Sequence, residues 1–258
     1  MKEDYNYITM IERATDIMDL IFVANKELGV SEISHELNLP KATVYRILIT
    51  LAKGGFISKG YETEKYTLGG KFIKYSDRVK RDINVYTIAK PYMERLAKKV
   101  GETVNLAIDY DNQSLIIDRE NGEQTSLLSK LVSDAPYNCS SSGKIFLSHK
   151  SDKEIREYFK NKHAKKRTIK SITDFETFDE QRKDILEKGY AIDDEEYDYG
   201  LYCIGKPVYS HSKKLMAVIS LSGPKSRLEH RGYEFIKSSL AETVNEIQSK
   251  INKLEINE

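Results

Sequence analysis

Lys41, Thr43, Tyr45 and Arg46 fall on the outer side of a run whose Val44, Ile47, Leu48 and Leu51 recur at helical spacing on the inner side. An ammonium, a hydroxyl, a phenol and a guanidinium on one helix face can all donate to phosphate oxygens. The Arg46 guanidinium can also bond a guanine edge bidentately. A shorter amphipathic run, 31–37, and the turn Asn38-Leu39-Pro40 precede it. Together they form the pattern of a helix-turn-helix whose second helix enters a DNA groove.

A second set of polar side chains sits where a core strand would favour apolar ones. Along 215–222, Ala217, Ile219 and Leu221 share one face, while Met216, Val218, Ser220 and Ser222 share the other. The two serines suit hydroxyls that orient a ligand in a mainly apolar pocket. They equally suit a strand end whose hydroxyls bond nearby backbone. Ser141-x-x-Lys144 formally fits a serine nucleophile assisted by lysine, but neither Ser-Asp-Asn nor Lys-Thr-Gly completes that set. Cys139 and Cys203 lie far apart with no CxxC, and the five histidines have no metal-ligand spacing. No catalytic residue, metal or cofactor is expected.

Charge is balanced over the 258 residues but not along them. Residues 1–40 hold three Lys or Arg against eight Asp or Glu, and residues 41–81 hold ten against three. The sign changes at the start of the proposed recognition helix, which supplies the local basic surface that phosphate binding needs. No apolar run approaches the roughly 18 residues of a membrane span. Glu12, Arg13, Asp16 and Asp19 interrupt the first twenty residues, so no signal peptide is expected. Cytoplasmic residence without membrane contact is the simple expectation.

A first helix is expected over 8–27, ended by Gly29, with Ser31 capping a second helix over 31–37. Pro40 suits the opening of the third helix, and Gly54-Gly55 stop it near Lys53. Segments 56–59 and 65–68 around a polar turn read as a two-stranded wing, with Lys59 or Lys65 near the DNA backbone or minor groove. A charged connecting helix is expected over 71–80 and another helix over 85–100, closed by Gly101. Strands are expected at 103–108 and 115–118 around a hairpin turn. A helix should start within 140–147, and Ser151 with Glu154 and Thr173 with Glu176 read as capping boxes for two more. Strands at 204–210 and 215–222 then precede one long helix over 227–254. The basic cluster 160–170 reads as a solvated loop.

Five segments occur in order along the chain: Gly101-Glu102-Thr103-Val104, Ser140-Ser141-Ser142-Gly143-Lys144, Gly189-Tyr190-Ala191-Ile192-Asp193-Asp194-Glu195-Glu196-Tyr197, Gly200-Leu201-Tyr202-Cys203-Ile204 and Ser220-Leu221-Ser222-Gly223-Pro224. With the helix-turn-helix before them, the sequence resembles the IclR family of bacterial transcription regulators over essentially its full length. The resemblance implies an α+β protein. A winged helix-turn-helix DNA-binding domain would occupy 1–68, a linker helix 69–82 and a GAF-like α/β effector-binding domain 83–258. It implies a homodimer or homotetramer on double-stranded operator DNA, controlling a metabolic operon, as a repressor, in response to a small organic acid. Ser31, Lys41, Ala42, Thr43, Tyr45, Arg46, Lys59 and Lys65 would meet the DNA. Ser141, Ser142, Asp193, Cys203, Ser220 and Ser222 would hold the effector.

The sequence departs from the family where Asn138-Cys139-Ser140 replaces His-Ala-(Ser/Thr), and where Ser141-Ser142 replaces a small or apolar pair. A more polar loop points toward a hydroxyl-rich carboxylate such as a sugar acid. Two rival readings remain: a redox-sensing regulator using Cys139 and Cys203, and a serine-based hydrolase.

Overall fold

A computed structural model describes residues 8–123, 134–160 and 164–256, with the backbone alone for 80–82. The chain forms two compact units, 1–79 and 80–258.

The first unit holds α1 (Thr9–Ala24), α2 (Val30–Glu36), α3 (Lys41–Lys53) and the antiparallel pair β1 (Ile57–Lys59) and β2 (Tyr66–Leu68). Helix α1 is shorter than its apolar periodicity suggests, and Asn25 rather than Gly29 ends it, in the left-handed conformation at φ 48°. The reason is a competing backbone partner. The Leu28 N–H donates to the Tyr66 carbonyl at 3.1 Å and the Leu28 carbonyl accepts the Tyr66 N–H at 2.9 Å, which adds an extended residue to the wing. Gly29 is then the N-cap of α2, and its N–H donates to the Glu32 carboxylate at 2.8 Å. Ser31 is therefore inside the helix and not its cap. Ile17, Ile21, Ile33, Val44, Ile47 and Leu48 close the small core under α3. Each such burial is worth about 1.5–3 kcal/mol, and the same packing turns the polar side of α3 outward.

Helix α4 (Lys71–Asp82) carries the chain from one unit into the other. In the second unit α5 (Asn84–Val100) leads into β3 (Thr103–Tyr110) and β4 (Gln113–Glu120), joined by a tight turn with Asp111 and Asn112 both left-handed. Then come β5 (Asp134–Ala135), α6 (Ser141–Ser148), α7 (Asp152–Lys160), α8 (Phe175–Lys188), β6 (Ala191–Asp194), β7 (Leu201–Tyr209), β8 (Leu215–Pro224), α9 (Lys225–Arg231) and α10 (Tyr233–Lys253). The six strands form one antiparallel sheet in the order β5-β4-β3-β8-β7-β6. One face packs Val104, Leu106, Ile204, Ala217, Ile219 and Leu221 against α5 and α10. The opposite face meets α6 through Ala107, Val218 and Ala191.

Two expectations fail here for local reasons. The C-terminal helix is two helices, because Gly232 at φ 91° and ψ 119° breaks the ladder. Within α10, Ile236, four residues before Leu240, is buried with it, and Phe235 is 42% exposed. Asp174, not Thr173, caps α8 by accepting the Thr177 N–H at 2.8 Å. Ser151 and Glu154 do form the reciprocal box expected at α7.

Candidate functional site

Antiparallel register sets the chemistry of the second unit. Across β4, β3, β8 and β7, Arg119 lies opposite Asn105, Asn105 opposite Ser220, and Ser220 opposite Gly205. Two residues along, on the same face, Thr103 lies opposite Ser222, Ser222 opposite Cys203, and Cys203 opposite Asp193. Alternation along each strand therefore gathers two adjoining polar rows on one side of the sheet. Gly205 makes room above them. A Cβ there would lie 3.3 Å from the Ser141 carbonyl carbon and 3.3 Å from Ile145 Cδ1, so the first turn of α6 rests on bare strand backbone.

The start of α6 is fixed by hydroxyl chemistry. Ser140 is its N-cap, accepting the Gly143 N–H at 3.0 Å and donating to the Pro136 carbonyl at 2.7 Å. Ser142 Oγ accepts the Ser114 hydroxyl at 2.8 Å. Between this turn and the two rows lies a cavity of about 180 Å3, whose wall includes Ser141, Ser142, Asp193, Cys203, Ser220 and Ser222. Ile116, Ala135 and Leu201 give it apolar walls, and Arg119, Arg167 and Tyr197 also line it. For scale, a dry engineered cavity of about 150 Å3 holds benzene.

Asp193 is the most perturbed acid of the cavity. Its Oδ1 accepts the backbone N–H groups of Glu196 at 2.8 Å and Tyr197 at 3.1 Å. Its Oδ2 is buried with no hydrogen-bonding N–H or O–H among the described residues. Burial, and then the neighbouring Glu196 carboxylate, push its pKa up to about 7. Glu196 is itself raised by burial, although it pairs with the Lys144 ammonium behind the cavity. Lys144 is 1% exposed and also donates to Gln181 at 3.0 Å. Arg119 donates from Nε to Asn105 Oδ1 at 2.9 Å. Arg167 donates from Nε to the Tyr197 carbonyl at 3.0 Å and stacks over the Tyr197 ring at 3.9 Å.

The first unit offers a different kind of surface. Lys41, Ala42, Tyr45 and Arg46 are exposed on α3, Thr43 is half-buried beside them, and Ser31 is exposed on α2. Of the wing lysines, Lys59 pairs with Glu64, and Lys65 lies 3.2 Å from Glu32. Exposed pairs of this kind are weak and leave both ammonium groups in contact with solvent.

The sequence of the second unit, over residues 78–249, matches the model described as the bacterial transcriptional regulator IclR C-terminal domain, about two thirds of the chain. Residues 10–60 match the IclR helix-turn-helix domain. This chain belongs to the IclR family. The family is one of transcription regulators, so the chain is a DNA-binding regulator and not an enzyme. Among relatives, the acetate operon repressor of Salmonella typhimurium is 26% identical over 86% of this chain and 82% of its own. The solved IclR of Thermotoga maritima is 29% identical, covers 95% of this chain and 100% of its own, and superposes with a TM-score of 0.76. An IclR homologue from Microbacterium hydrocarbonoxydans, solved with 4-hydroxybenzoate, shares the fold at 22% identity and a TM-score of 0.82, covering 95% and 99% of the two chains.

Within this IclR-family chain the rival readings lose their chemistry. Lys144 is engaged by Glu196 and Gln181 and is not available as a base for Ser141. Burial pushes the Cys139 thiol up to about 12 and raises Cys203 well above the usual thiol range, which suppresses the thiolate that redox sensing needs. No helix among the described residues is long and apolar enough to cross a membrane.

Several cavity residues escaped sequence reasoning. Thr103, Asn105 and Arg119 were legible in principle, since strand alternation puts them on the face opposite Val104 and Leu106. Arg167 carried no such signal. It falls in the basic cluster read as a solvated loop, where Lys165 and Lys166 are indeed exposed. Arg167 and Lys170 are exposed as well, yet Arg167 holds Tyr197 and Lys170 pairs with Glu195 at 2.8 Å. Residues 161–163 of that cluster lie outside the described residues.

Proposed function

We propose that this regulator represses a metabolic operon and is controlled by a compact organic acid bound in the cavity of the second unit. In this reading residues 1–68 read operator DNA, 83–258 hold the effector and 69–82 connect them. The carrying observation is the polar cluster itself. Serine hydroxyls and an aspartate oxygen are buried in the middle of a sheet whose other face packs Val104, Leu106, Ile219 and Leu221 into an apolar core. Asp193 Oδ2 has no N–H or O–H partner among the described residues, and a buried polar group left so costs about 1–3 kcal/mol, which a ligand hydroxyl would offset.

The chemistry suits a carboxylate. Ser141 and Ser142 are the first residues of α6, where unbonded N–H groups and the helix dipole favour an anion. The Ser220 and Ser222 hydroxyls donate to the same ligand's oxygens, Asp193 accepts a ligand hydroxyl, and Cys203 shapes the wall. Such a site takes a hydroxy or sugar acid of roughly single-ring size. The 4-hydroxybenzoate of the Microbacterium homologue is an acid of that size, and the name of the acetate operon repressor supports the sign of regulation.

On the DNA side Arg46 reads a base edge, with Lys41, Ala42, Thr43 and Tyr45 around it. Ser31, Lys59 and Lys65 contact the backbone. The protein acts as a homodimer or homotetramer, so that paired heads meet paired half-sites, in the cytoplasm, where its DNA is. Effector and DNA affinities are then linked reciprocally.

A thermal-shift screen of the full chain against compact carboxylic, hydroxy and sugar acids tests the reading. An effector present at about 100 times its Kd adds about 2.7 kcal/mol of apparent stability. The expected result is a stabilising acid whose effect disappears in the Ser220→Ala/Ser222→Ala double variant. A panel without any stabilising acid, or one whose effect survives in that variant, contradicts it.

A further inference from the structure

Beyond the six residues proposed to touch the effector, the cavity wall includes two sheet residues that set what the serines can do. Arg119 donates from Nε to Asn105 Oδ1 at 2.9 Å. A guanidinium has no acceptor, so this bond fixes which end of the Asn105 amide faces Arg119: the oxygen. The Asn105 Nδ2 must then face the other way. It donates to Ser222 Oγ at 3.2 Å and lies 3.5 Å from Ser220 Oγ. Asn105 is 4% exposed and Ser220 5% exposed, so water does not readily replace these bonds.

From this we infer that Arg119 and Asn105 form a relay that orients the Ser220 and Ser222 hydroxyls as hydrogen-bond donors and so makes the cavity selective for ligand oxygens over ligand N–H groups. A serine oxygen that accepts from Asn105 turns its own hydrogen away from it. For Ser222 that direction leads toward the Cys203 sulfur, with which it interacts. Sulfur is a weak acceptor, readily exchanged for a ligand oxygen. Two donors converging from adjoining rows suit a carboxylate or keto oxygen and leave the primary amide of the same acid with its NH2 unmatched. Arg119 and Asn105 are positioning residues here, acting through the serines.

The inference rests on the effector reading above, and one set of titrations separates the two. Full-length wild type, Asn105→Asp and Arg119→Leu are titrated calorimetrically with 4-hydroxybenzoate and 4-hydroxybenzamide, and with lactate and lactamide. The wild type is expected to favour an acid over its amide by roughly 10- to 100-fold, the range for a hydrogen bond to a charged group. In Asn105→Asp the introduced carboxylate keeps Arg119 paired but accepts from the serines, so their lone pairs face the cavity and the preference collapses or inverts. Arg119→Leu frees the amide to turn and reduces the preference. An acid preference kept intact in Asn105→Asp overturns the relay while leaving the effector reading standing. A wild type that binds neither acid counts against the effector reading. The relay is then decided without ligand, from the exchange rate of the Asn105 side-chain amide protons by NMR. Slow exchange in the wild type and faster exchange in Arg119→Leu supports it, and equal rates overturn it.

Discussion

The polar side of α3 and the polar rows of the sheet use similar residue types under opposite physical conditions. On α3, Lys41, Tyr45 and Arg46 stand in water, each sustained by solvent and none needed by the apolar core beneath. In the second unit, Ser141, Asp193, Lys144 and Glu196 are almost fully buried, and every partner counts. Surface chemistry can therefore be altered with little effect on folding, whereas cavity chemistry and stability move together.

The largest loss of stability is expected for Lys144→Ala. It leaves Glu196 as an uncompensated buried carboxylate and should cost about 3–5 kcal/mol in denaturant unfolding. A loss under 1 kcal/mol would mean that the cavity wall is as tolerant as α3. Arg46→Ala should do the reverse, changing stability by no more than about 0.5 kcal/mol while weakening operator binding by about 1–3 kcal/mol. Unaltered operator affinity would remove its base-reading role.

Asp193 sharpens the contrast through pH. Its folded pKa of about 7 lies above the unfolded value near 3.9. The folded state therefore holds a proton that the unfolded chain has lost. The associated stability is fully present below about pH 4 and is lost as pH rises through about 7. Asp193→Asn should flatten stability over that window, and an unchanged slope would assign the titration elsewhere. The smallest effect is expected at the wing. Lys59→Ala and Lys65→Ala should each reduce the salt slope of DNA binding by about one, with little change in sequence preference.

Legibility followed the same divide. The helix-turn-helix was readable because its apolar spacing, its proline and its double glycine all agree. What failed there was a boundary: Leu28 joins the wing by backbone bonds that leave no trace in residue type. In the second unit the serines interrupt an apolar strand, a pattern that a strand end bonding nearby backbone would share, while β6 is four residues long and half acidic, and β5 has only two residues. Neither carries a period long enough to read. Asp193 was located by family resemblance, and Arg167 became visible only once Tyr197 lay beneath it.

In the proposed switch, a ligand among the buried polar rows governs DNA binding by the exposed helix. Its most direct test is the operator Kd of the wild type and of Ser220→Ala/Ser222→Ala, measured across a panel of compact organic acids on the genomic fragment that binds best. The expected result is an acid that shifts the wild-type Kd by roughly 5- to 150-fold and leaves the Kd of the double variant where it stands without ligand. An equal shift in both proteins, or no shift in the wild type with any acid, would contradict it.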